Sequence, residues 1–259
     1  MKNDESLIND FEIKLDNKSN SRNTSKLFAG FKKNKVVNEV LDRTTVMTMY
    51  KMINSHIISY VNGVVSAGKE SVVFWAVKDN VNIALKTYLT STSNFKKRAS
   101  YITGDPRFTH VKKNTRSLVY QWAKKEFKNL HRCQSFGISV PAPLYVDKNV
   151  LAMDFIGDGG VPAKTLVQCD VNKNDYNSMI ELIDILYNKA HLIHADLSGY
   201  NVFKTNNGLV LFDLGSAVDT RHPNAMSLLE RDINNVSSFF VKRGLQVTNP
   251  IDVIKEVTL

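Results

Sequence analysis

The sequence predicts a two-lobed α+β fold, in which a β-rich N-terminal lobe precedes a mainly helical C-terminal lobe. Short β-branched runs separated by turns recur between residues 58 and 155, interrupted by one basic, polar segment and one clear helix. A glycine-rich stretch at 157–160 then interrupts this pattern and predicts a hinge between two lobes. Beyond it, apolar residues recur at roughly the 3.6-residue spacing of a helix, so the second lobe is expected to be mainly helical.

The first lobe is expected to begin after a polar arm. Residues 1–35 are rich in Asn, Ser and Lys, which predicts a flexible N-terminal arm. From Val36 to Ile57 the apolar residues fall at near-helical spacing, so one or two helices are expected there. We therefore place the N-terminal lobe at 36–156 and the C-terminal lobe at 157–259.

Three β-strands are predicted next. Ile58–Val64 and Ser71–Val77 are rich in β-branched residues and flank a turn at 66–70, and Val81–Tyr88 follows a short polar turn. Residues 90–117 are basic and polar without clear periodicity, which predicts a long flexible insertion.

One helix and a strand pair complete this lobe. Leu118–Cys133 carries its large apolar residues near one stripe, which predicts an amphipathic helix. The helix is expected to stop at Gly137, because glycine readily adopts the conformation that caps a helix C-terminus. Leu144–Val146 and Val150–Phe155 then predict two paired strands.

The second lobe is predicted from three segments. Asn177–Ala190 has helical periodicity, and Leu209–Phe212 is an apolar run typical of a buried strand. Two short elements are expected to flank residues 194–201. Asn224–Arg243 is expected to close the chain as a helix.

Composition limits the class of protein. The 259 residues carry 34 Lys and Arg against 25 Asp and Glu, and a net charge of +9 favours polyanionic partners such as RNA or a nucleotide. An AT-rich genome produces the same bias through its Lys and Asn codons. Only Cys133 and Cys169 are present, which argues for the reducing cytoplasm. No apolar run approaches the roughly 20 residues that span a bilayer, so no membrane association is expected.

The residues best suited to chemistry lie in the second lobe. Asp196 is followed five positions later by Asn201, and a short strand then leads to Asp213. Phosphoryl transfer needs a carboxylate that orients the attacking group, and hard oxygen ligands for Mg²⁺ on the nucleotide phosphates. Asp196 fits the first role, and Asn201 with Asp213 fits the second. Each residue alone is equally consistent with a turn or a hairpin end, but their order predicts a phosphotransferase.

The first lobe supplies complementary groups. Lys86 lies in a predicted strand, where protein kinases carry the lysine that pairs with the nucleotide phosphates, and Glu126 on the following helix is its expected partner. The residues after Gly215 contain no Ala-Pro-Glu sequence and leave little room for an ordinary activation segment. The sequence therefore predicts a protein-kinase-like fold that lacks this segment and binds ATP.

The turn at 66–70 partly matches another phosphate-binding motif. A Gly-x4-Gly-Lys pattern ends at Lys69, but Glu70 stands where the P-loop has the Ser or Thr that holds Mg²⁺. The following residues predict a strand, whereas a P-loop requires a helix. We therefore expect a hairpin that covers the phosphates, with Ser66, Gly68, Lys69 and Glu70 near the nucleotide.

With these residues in place, the sequence resembles the RIO atypical protein kinases, and in particular their first branch, with an archaeal source expected. The likeness extends over residues 36–243. The motifs that carry it are VVSAGKES (64–71), YITGDPRF (101–108), HADLS (194–198), HPNA (222–225) and LERDINN (229–235).

The resemblance implies an ATP-dependent serine/threonine kinase or ATPase that uses Mg²⁺, with Mn²⁺ as a second option, and that acts in maturation of the small ribosomal subunit. Precursor rRNA or protein of that subunit is the implied partner. The resemblance also implies that hinge backbone near Asp154 and Ile156 holds the adenine, and that Asp196 can itself accept the phosphoryl group. In the insertion, Ser100 and Ser117 are available for autophosphorylation.

Four positions depart from the family pattern. The family usually has Thr at the position of Ala67, Ala at Ser71, Glu at Gly199 and Gln near Ser216. We expect Ala67 to remove one phosphate donor. We expect Gly199 to loosen the loop that sets the geometry of Asp196.

Two other functions stay open from the residues. Aminoglycoside and choline phosphotransferases share the Asp-x4-Asn pattern and the later Asp, although the basic insertion and the segment 222–235 favour a RIO-type protein. A catalytically silent RNA-binding assembly factor is the other possibility, against which the presence of Lys86, Asp196, Asn201 and Asp213 argues. The oligomeric state has no signal in the sequence.

Overall fold

The computed structural model describes residues 41–90, 98–108 and 114–259. The predicted N-terminal arm at 1–35 lies outside these residues. Within them a β-rich lobe precedes a mainly helical lobe, so the predicted two-lobed α+β architecture is confirmed.

The first lobe is built on a five-stranded antiparallel sheet with the strand order β1-β2-β3-β5-β4. The strands are β1 (Tyr60–Ala67), β2 (Ser71–Lys78), β3 (Val81–Tyr88), β4 (Pro143–Asp147) and β5 (Val150–Asp154). Helix α1 (Arg43–Asn54) precedes the sheet, and its buried Met49 and Met52 pack in one apolar cluster with Phe74 and Leu85. This packing explains the near-helical spacing that the sequence shows before the first strand.

The insertion predicted at 90–117 contains a short helix in its described middle part. Helix α2 (Ser100–Thr103) forms there, and Ile102 is buried. The His222 ring nitrogen Nε2 lies 3.1 Å from the Ser100 carbonyl oxygen, so the segment packs on a distant part of the chain. Local periodicity does not report such contacts, so they could not be predicted from the sequence.

Helix α3 (Thr115–Ser135) is the long helix of the first lobe and begins earlier than the predicted Leu118. The Asn114 side chain accepts a hydrogen bond from the Ser117 N–H at 2.8 Å, which fixes this N-terminus. Gly137 has φ +74° just after the helix, so the predicted glycine cap is confirmed.

The glycine-rich stretch between the lobes forms a small hairpin of β6 (Gly157–Asp158) and β7 (Val161–Pro162). Gly160 has φ +80°, and a Cβ added to it would lie 2.4 Å from the Trp75 ring. The hairpin therefore packs closely on the sheet, and this position requires glycine for both space and backbone conformation.

The second lobe is mainly helical. Its helices are α4 (Lys173–Asp184), which continues into a π-helical turn at Ile185–Lys189, α5 (Ala225–Val241) and α6 (Pro250–Thr258). Its short strands are β8 (Leu192–Ile193), β9 (Val202–Thr205), β10 (Gly208–Leu211) and β11 (Val218–Asp219). The expectation that the helix at 224–243 closes the chain is wrong, because α6 follows it. Pro250 at the start of α6 and the Asn249 side chain, which accepts from the Ile251 N–H at 3.0 Å, begin this last helix.

The two lobes share apolar packing. The largest buried cluster runs from Leu151 and Met153 of β5 to Leu197 and Leu214 in the second lobe. Both sides of the cleft therefore rest on one continuous core. In the part of the chain that the structure describes, no helix is long and apolar enough to cross a membrane.

Candidate active site

Lys86 lies at the floor of a cleft between the lobes. Strand β3 pairs it with Val73 on one side and Leu151 on the other, in the middle of the sheet. Its Nζ donates to Glu126 Oε1 at 2.8 Å and to Asp213 Oδ1 at 2.7 Å. A strand, helix α3 and the loop after β10 thus meet at one ammonium group.

Burial and charge act in opposite directions on these three groups. Burial raises the pKa of Glu126 to about 7, although the Lys86 ammonium opposes that shift. Burial tends to lower the pKa of Lys86, but the charges of Asp213 and Glu126 outweigh it and raise that pKa above its ordinary value. Burial tends to raise the pKa of Asp213, but the charge and hydrogen bond of Lys86 bring it below its ordinary value. At neutral pH the site therefore holds a charged lysine beside an ionised Asp213.

Asp196 lies on the loop between β8 and β9, and side chains of α5 bind the backbone of this loop. The Asp232 carboxylate of α5 accepts from the Ala195 N–H at 2.7 Å and from the Leu197 N–H at 3.0 Å. The Arg231 side chain donates to the Ala195 carbonyl. Ala195 has φ +62°, a conformation that costs energy for any residue other than glycine, so these bonds hold a strained turn.

The environment of Asp196 makes its carboxylate more basic than usual. Burial raises the pKa of Asp196, and the nearby Asp213 charge adds to this rise. His194 and the positive charges of Arg98 and Arg231 oppose the rise without cancelling it. A carboxylate with a raised pKa is better suited to take a hydrogen bond or a proton from an attacking hydroxyl.

Asn201 is tied to the same loop. Its side-chain Nδ2 donates to the Asp196 carbonyl oxygen at 2.8 Å, and its own carbonyl accepts from the Phe212 N–H at 3.0 Å. Asp213 directly follows Phe212 and has φ +60°. The chain therefore brings Asp196, Asn201 and Asp213, which are separate in sequence, to one side of the cleft.

The donor set suits a magnesium ion that is shared with phosphates. Among the described residues no group of three or more His, Cys, Asp or Glu is placed to hold a metal. Mg²⁺ is commonly bound by one or two protein oxygens together with substrate phosphates and water. The ionised Asp213 and the amide oxygen of Asn201, whose nitrogen is already bonded, fit that pattern.

The turn at 66–70 connects β1 to β2, so the rejection of a P-loop is confirmed: a strand follows the turn. Ser66, Gly68 and Lys69 are exposed at its tip. Glu70 differs, because its carboxylate bonds Arg98 Nη2 at 2.9 Å. The Glu70 side chain is therefore paired with an arginine. It is not a phosphate ligand by itself, because a carboxylate repels a phosphate.

The predicted hinge residues lie where the sheet meets the small hairpin. Asp154 ends β5 opposite Ile83, and its N–H donates to the Ala142 carbonyl at 2.9 Å. The Ile156 carbonyl accepts from the Ala163 N–H at 2.8 Å. Burial raises the pKa of Asp154. The hinge backbone is thus fixed on both sides of the cleft edge.

A scan against family models matches residues 72–253 to the RIO domain. This match covers more than half of the chain. The chain belongs to the RIO family.

Curated relatives support the same family and its first branch. The chain is 38% identical over 227 residues to the RIO-type serine/threonine-protein kinase Rio1 of Methanocaldococcus jannaschii, covering 86% of this chain and 77% of that protein. It is 35% identical over 229 residues to the serine/threonine-protein kinase RIO1 of Homo sapiens, covering 86% of this chain but only 40% of the human protein. The chain therefore spans most of the archaeal relative and less than half of the human one.

Solved structures support the RIO kinase fold. The crystal structure of the Rio2 kinase-ADP/Mg²⁺-phosphoaspartate complex from Chaetomium thermophilum matches with a TM-score of 0.65 at 17% identity, covering 98% of this chain and 86% of that one. A second Rio2 kinase structure from the same organism matches with a TM-score of 0.61 at 20% identity, over 80% of this chain and 66% of that one. At these identities the likeness concerns the fold, and the predicted kinase-like fold is confirmed.

Sequence reasoning missed the polar residues that support this RIO site. Lys125 is fully buried, and its Nζ donates to the carbonyls of Gly215, at 3.0 Å, and Ala217. Asn129 Nδ2 donates to the carbonyls of Leu214, at 2.8 Å, and Ala217, at 3.0 Å. One signal existed in the sequence, because these two residues fall at helical spacing on the same stripe as the apolar residues.

Asp232 was missed for a different reason. It lies on α5, where it is one of three consecutive charged residues at 230–232 and nothing in the sequence of the helix sets it apart. The LERDINN motif (229–235) that carries the family resemblance contains it, but the motif does not indicate that its carboxylate reaches the backbone of a loop more than 30 positions earlier. Such a role emerges only when the tertiary packing is known.

Proposed function

We propose that this chain is a RIO-type kinase or ATPase that transfers the γ-phosphoryl group of ATP, with Asp196 as the catalytic aspartate. The observation that carries the proposal is the convergence of Lys86, bonded to both Glu126 and Asp213, with the loop that holds Asp196 and Asn201. A strand-borne lysine, a helix-borne glutamate and two acidic loops are the parts that phosphoryl transfer uses.

Each residue has a role in this proposal. Lys86 contacts the nucleotide phosphates and is itself positioned by Glu126. The exposed tip of the β1–β2 hairpin covers the phosphates, where the Ser66 hydroxyl and the Lys69 ammonium donate hydrogen bonds and Gly68 allows close approach. The adenine binds along the hinge backbone at Asp154 and Ile156.

Asn201 and Asp213 would hold Mg²⁺, or Mn²⁺ in its place. The ion supplies positive charge that neutralises the phosphate oxygens when nucleotide is bound. The protein groups do the remaining work: Lys86 keeps Asp213 ionised and in place, and the Asn201 amide ties the metal side of the site to the Asp196 loop.

Asp196 has two possible acceptor chemistries in this proposal. It can orient a serine or threonine hydroxyl towards the γ-phosphorus and take its proton. Alternatively, an Asp196 oxygen forms the bond to phosphorus while the bond to the ADP oxygen breaks, and the electron pair leaves with ADP. Water then cleaves the aspartyl phosphate. The raised pKa of Asp196 supports both routes, since it makes the carboxylate a better base and nucleophile.

We further propose that the chain acts in the cytoplasm on precursors of the small ribosomal subunit. The net charge of +9 supports an RNA-containing partner, and the free thiols of Cys133 and Cys169 support a reducing compartment. In this setting Ser100, exposed at the start of α2, and Ser117, in the first turn of α3, are the candidate autophosphorylation sites.

The test is ATP turnover by the purified chain with Mg²⁺, with radiolabel followed on protein and as free phosphate. We expect turnover in the wild type and its loss in Asp196→Asn and in Asp213→Asn. Asp252→Asn is the matched control, because this carboxylate is exposed on α6. Acid-labile label that disappears in Asp196→Asn supports the aspartyl phosphate, and acid-stable label that requires Ser100 or Ser117 supports autophosphorylation.

The same experiment separates the alternatives. Rapid phosphorylation of a panel of small alcohols would favour a small-molecule phosphotransferase. If the wild type neither turns over ATP nor binds it, the enzyme proposal fails and an RNA-binding scaffold is left.

A further inference from the structure

Arg98 stands immediately before α2 and connects the insertion to the nucleotide-covering hairpin. Its Nη2 lies 2.9 Å from Glu70 Oε2, at the turn between β1 and β2. The arginine side chain is 34% exposed and the glutamate side chain 20% exposed, so both remain accessible to a ligand.

Arg98 also lies beside the catalytic groups. Its guanidinium carbon is 5.4 Å from the centre of the Trp122 ring. Trp122 itself abuts the turn after Asp213, because a Cβ on Gly215 would lie 2.5 Å from the indole nitrogen. The positive charge of Arg98 opposes the rise in the pKa of Asp196 and adds to the lowering of the pKa of Asp213, so it acts on both carboxylates.

We propose that Arg98 is a further catalytic residue, which leaves Glu70 when nucleotide binds and donates hydrogen bonds to the oxygens of the transferred phosphoryl group. This inference rests on the proposed phosphotransfer function. Two of the three donors of Lys86 are already used by Glu126 and Asp213. A guanidinium carries five donors in a planar fork that suits phosphate, so Arg98 supplies what Lys86 lacks.

The proposed action is electrostatic. As the acceptor oxygen bonds the γ-phosphorus, the bond from phosphorus to the leaving ADP oxygen breaks and ADP takes the electron pair. Negative charge spreads over the three remaining oxygens of the phosphoryl group, and a cation fixed beside them stabilises that state more than the ground state. Glu70 then has a clear use: it holds the arginine near the cleft while no phosphate is present.

The experiment compares binding of ADP·Mg²⁺ alone and with aluminium fluoride, which mimics the phosphoryl group in transfer, and measures kcat and KM for ATP. The variants are Arg98→Gln, Arg98→Lys and the control Arg116→Gln, an exposed arginine 3.7 Å from Asp42. For Arg98→Gln we expect a kcat lower by about 100-fold or more. We expect the affinity for ADP to stay within a few-fold of wild type. The increase in affinity that aluminium fluoride gives in wild type should be lost. Arg98→Lys should be intermediate, and Arg116→Gln unchanged.

Several outcomes would overturn the proposal. If Arg98→Gln keeps its kcat and its aluminium fluoride effect, Arg98 is not catalytic. If ADP affinity falls as much as affinity for the mimic, Arg98 only anchors the nucleotide. If wild type neither turns over ATP nor binds the mimic, the proposed function fails together with this inference, which distinguishes that case from the other two.

A Glu70→Gln variant guards against a purely structural explanation. It removes the counter-ion but leaves the guanidinium, so we expect a much smaller loss of kcat than in Arg98→Gln. Equal losses in both variants, with an equally lowered Tm, would mean that the ion pair matters only for folding of the insertion onto the hairpin.

Discussion

Gly215 and Trp122 set the geometry of Asp213 at the scale of single residues. A Cβ on Gly215 would lie 2.5 Å from Trp122 Nε1, closer than any real contact of that kind, and Trp122 is almost fully buried. The indole therefore cannot move away without disturbing α3. Its position keeps the turn after Asp213 tight, and that turn sets where the carboxylate points.

We therefore expect Gly215→Ala to destabilise the fold by about 1–3 kcal/mol through overpacking, and to lower ATP turnover further by displacing Asp213. Urea unfolding and turnover at saturating ATP measure the two effects. Gly68→Ala is the control for the fold, since its Cβ would meet only the Ser71 carbonyl at an ordinary 3.5 Å. Unchanged stability in Gly215→Ala would contradict the packing argument.

Gly199 shows where a residue-level expectation failed. The sequence suggested that glycine at this position loosens the loop around Asp196. In the structure a Cβ there would lie 2.8 Å from the Phe239 ring and 3.1 Å from a Val167 methyl, and the Gly199 carbonyl accepts from the Val167 N–H at 3.2 Å. The loop is packed at this point, and the aromatic side chain takes the space that a larger residue would need.

At the scale of elements, α3 ties the first lobe to the loop that follows Asp213. Lys125 and Asn129 bind three backbone carbonyls of that loop, and Glu126 binds Lys86. Ordinary kinases have an activation segment here, whereas this chain fixes the loop with buried side chains. These contacts are part of the fold, and the loop takes its position without the charge that phosphorylation would add.

Lys125 gives this element a pH signature. Burial lowers the pKa of Lys125 to about 7, from an ordinary 10.5. Between these values the unfolded chain holds a proton that the folded chain lacks, so the free energy of unfolding rises with pH from about 7 to 10.5. Below about 7 both states hold the proton, and the contribution of this group no longer changes with pH. We expect wild type to gain roughly 1 kcal/mol per pH unit relative to Lys125→Met in this window.

Urea unfolding at several pH values between 7 and 9.5 measures this difference. Lys124→Met is the matched control, because this neighbour is exposed on the same helix. Its curve should run parallel to that of wild type. If the Lys125→Met curve also runs parallel, the lysine is charged in the folded state and the two carbonyls bind an ammonium.

The middle of the insertion marks the limit of pattern reading at this scale. Its sequence lacks periodicity, yet Asp105 is buried and bonds the Arg107 guanidinium, at 2.6 Å to Nη2, and Arg107 Nη1 donates to Asn129 Oδ1 at 2.8 Å. Gly104 leaves room for His222, whose ring nitrogen would lie 2.3 Å from an added Cβ. Polar contacts between distant segments hold this part, and a hydrophobic period does not reveal them.

At the scale of the whole molecule, the sequence was enough for the succession of a β-rich and a helical lobe, without α2 and α6, and for the residues that face the cleft. Lys86, Asp196 and Asp213 stand in ordered positions between strands and turns, and their chemistry is recognisable in that order. The residues that support the site from other elements could not be identified from the sequence. Asp232 and Arg98 act on groups more than 25 positions away, and only the packing of the lobes brings them there.

The two lobes meet at Lys86, and this predicts how nucleotide binding affects the stability of the whole chain. Without nucleotide, the Lys86–Asp213 ion pair at 2.7 Å is a polar contact between the lobes at the base of the cleft. In the proposed function, ADP with Mg²⁺ binds between the lobes and adds contacts on both sides of the cleft. At 100 times its Kd, a ligand that binds only the folded chain adds about 2.7 kcal/mol, which corresponds to a rise in Tm of about 5–10 °C.

The metal-dependent part of that rise tests the role of Asp213. We expect Mg²⁺ to increase the Tm shift given by ADP in wild type, and EDTA to abolish the increase. In Asp213→Asn the neutral side chain still accepts from Lys86 but holds Mg²⁺ poorly, so ADP should shift Tm equally with and without the metal. Differential scanning fluorimetry measures the Tm shift that ADP gives in wild type and in Asp213→Asn, each with and without Mg²⁺. Asp252→Asn is the control and should behave like wild type. A full Mg²⁺ effect in Asp213→Asn would place the metal on other ligands and would remove Asp213 from the metal site.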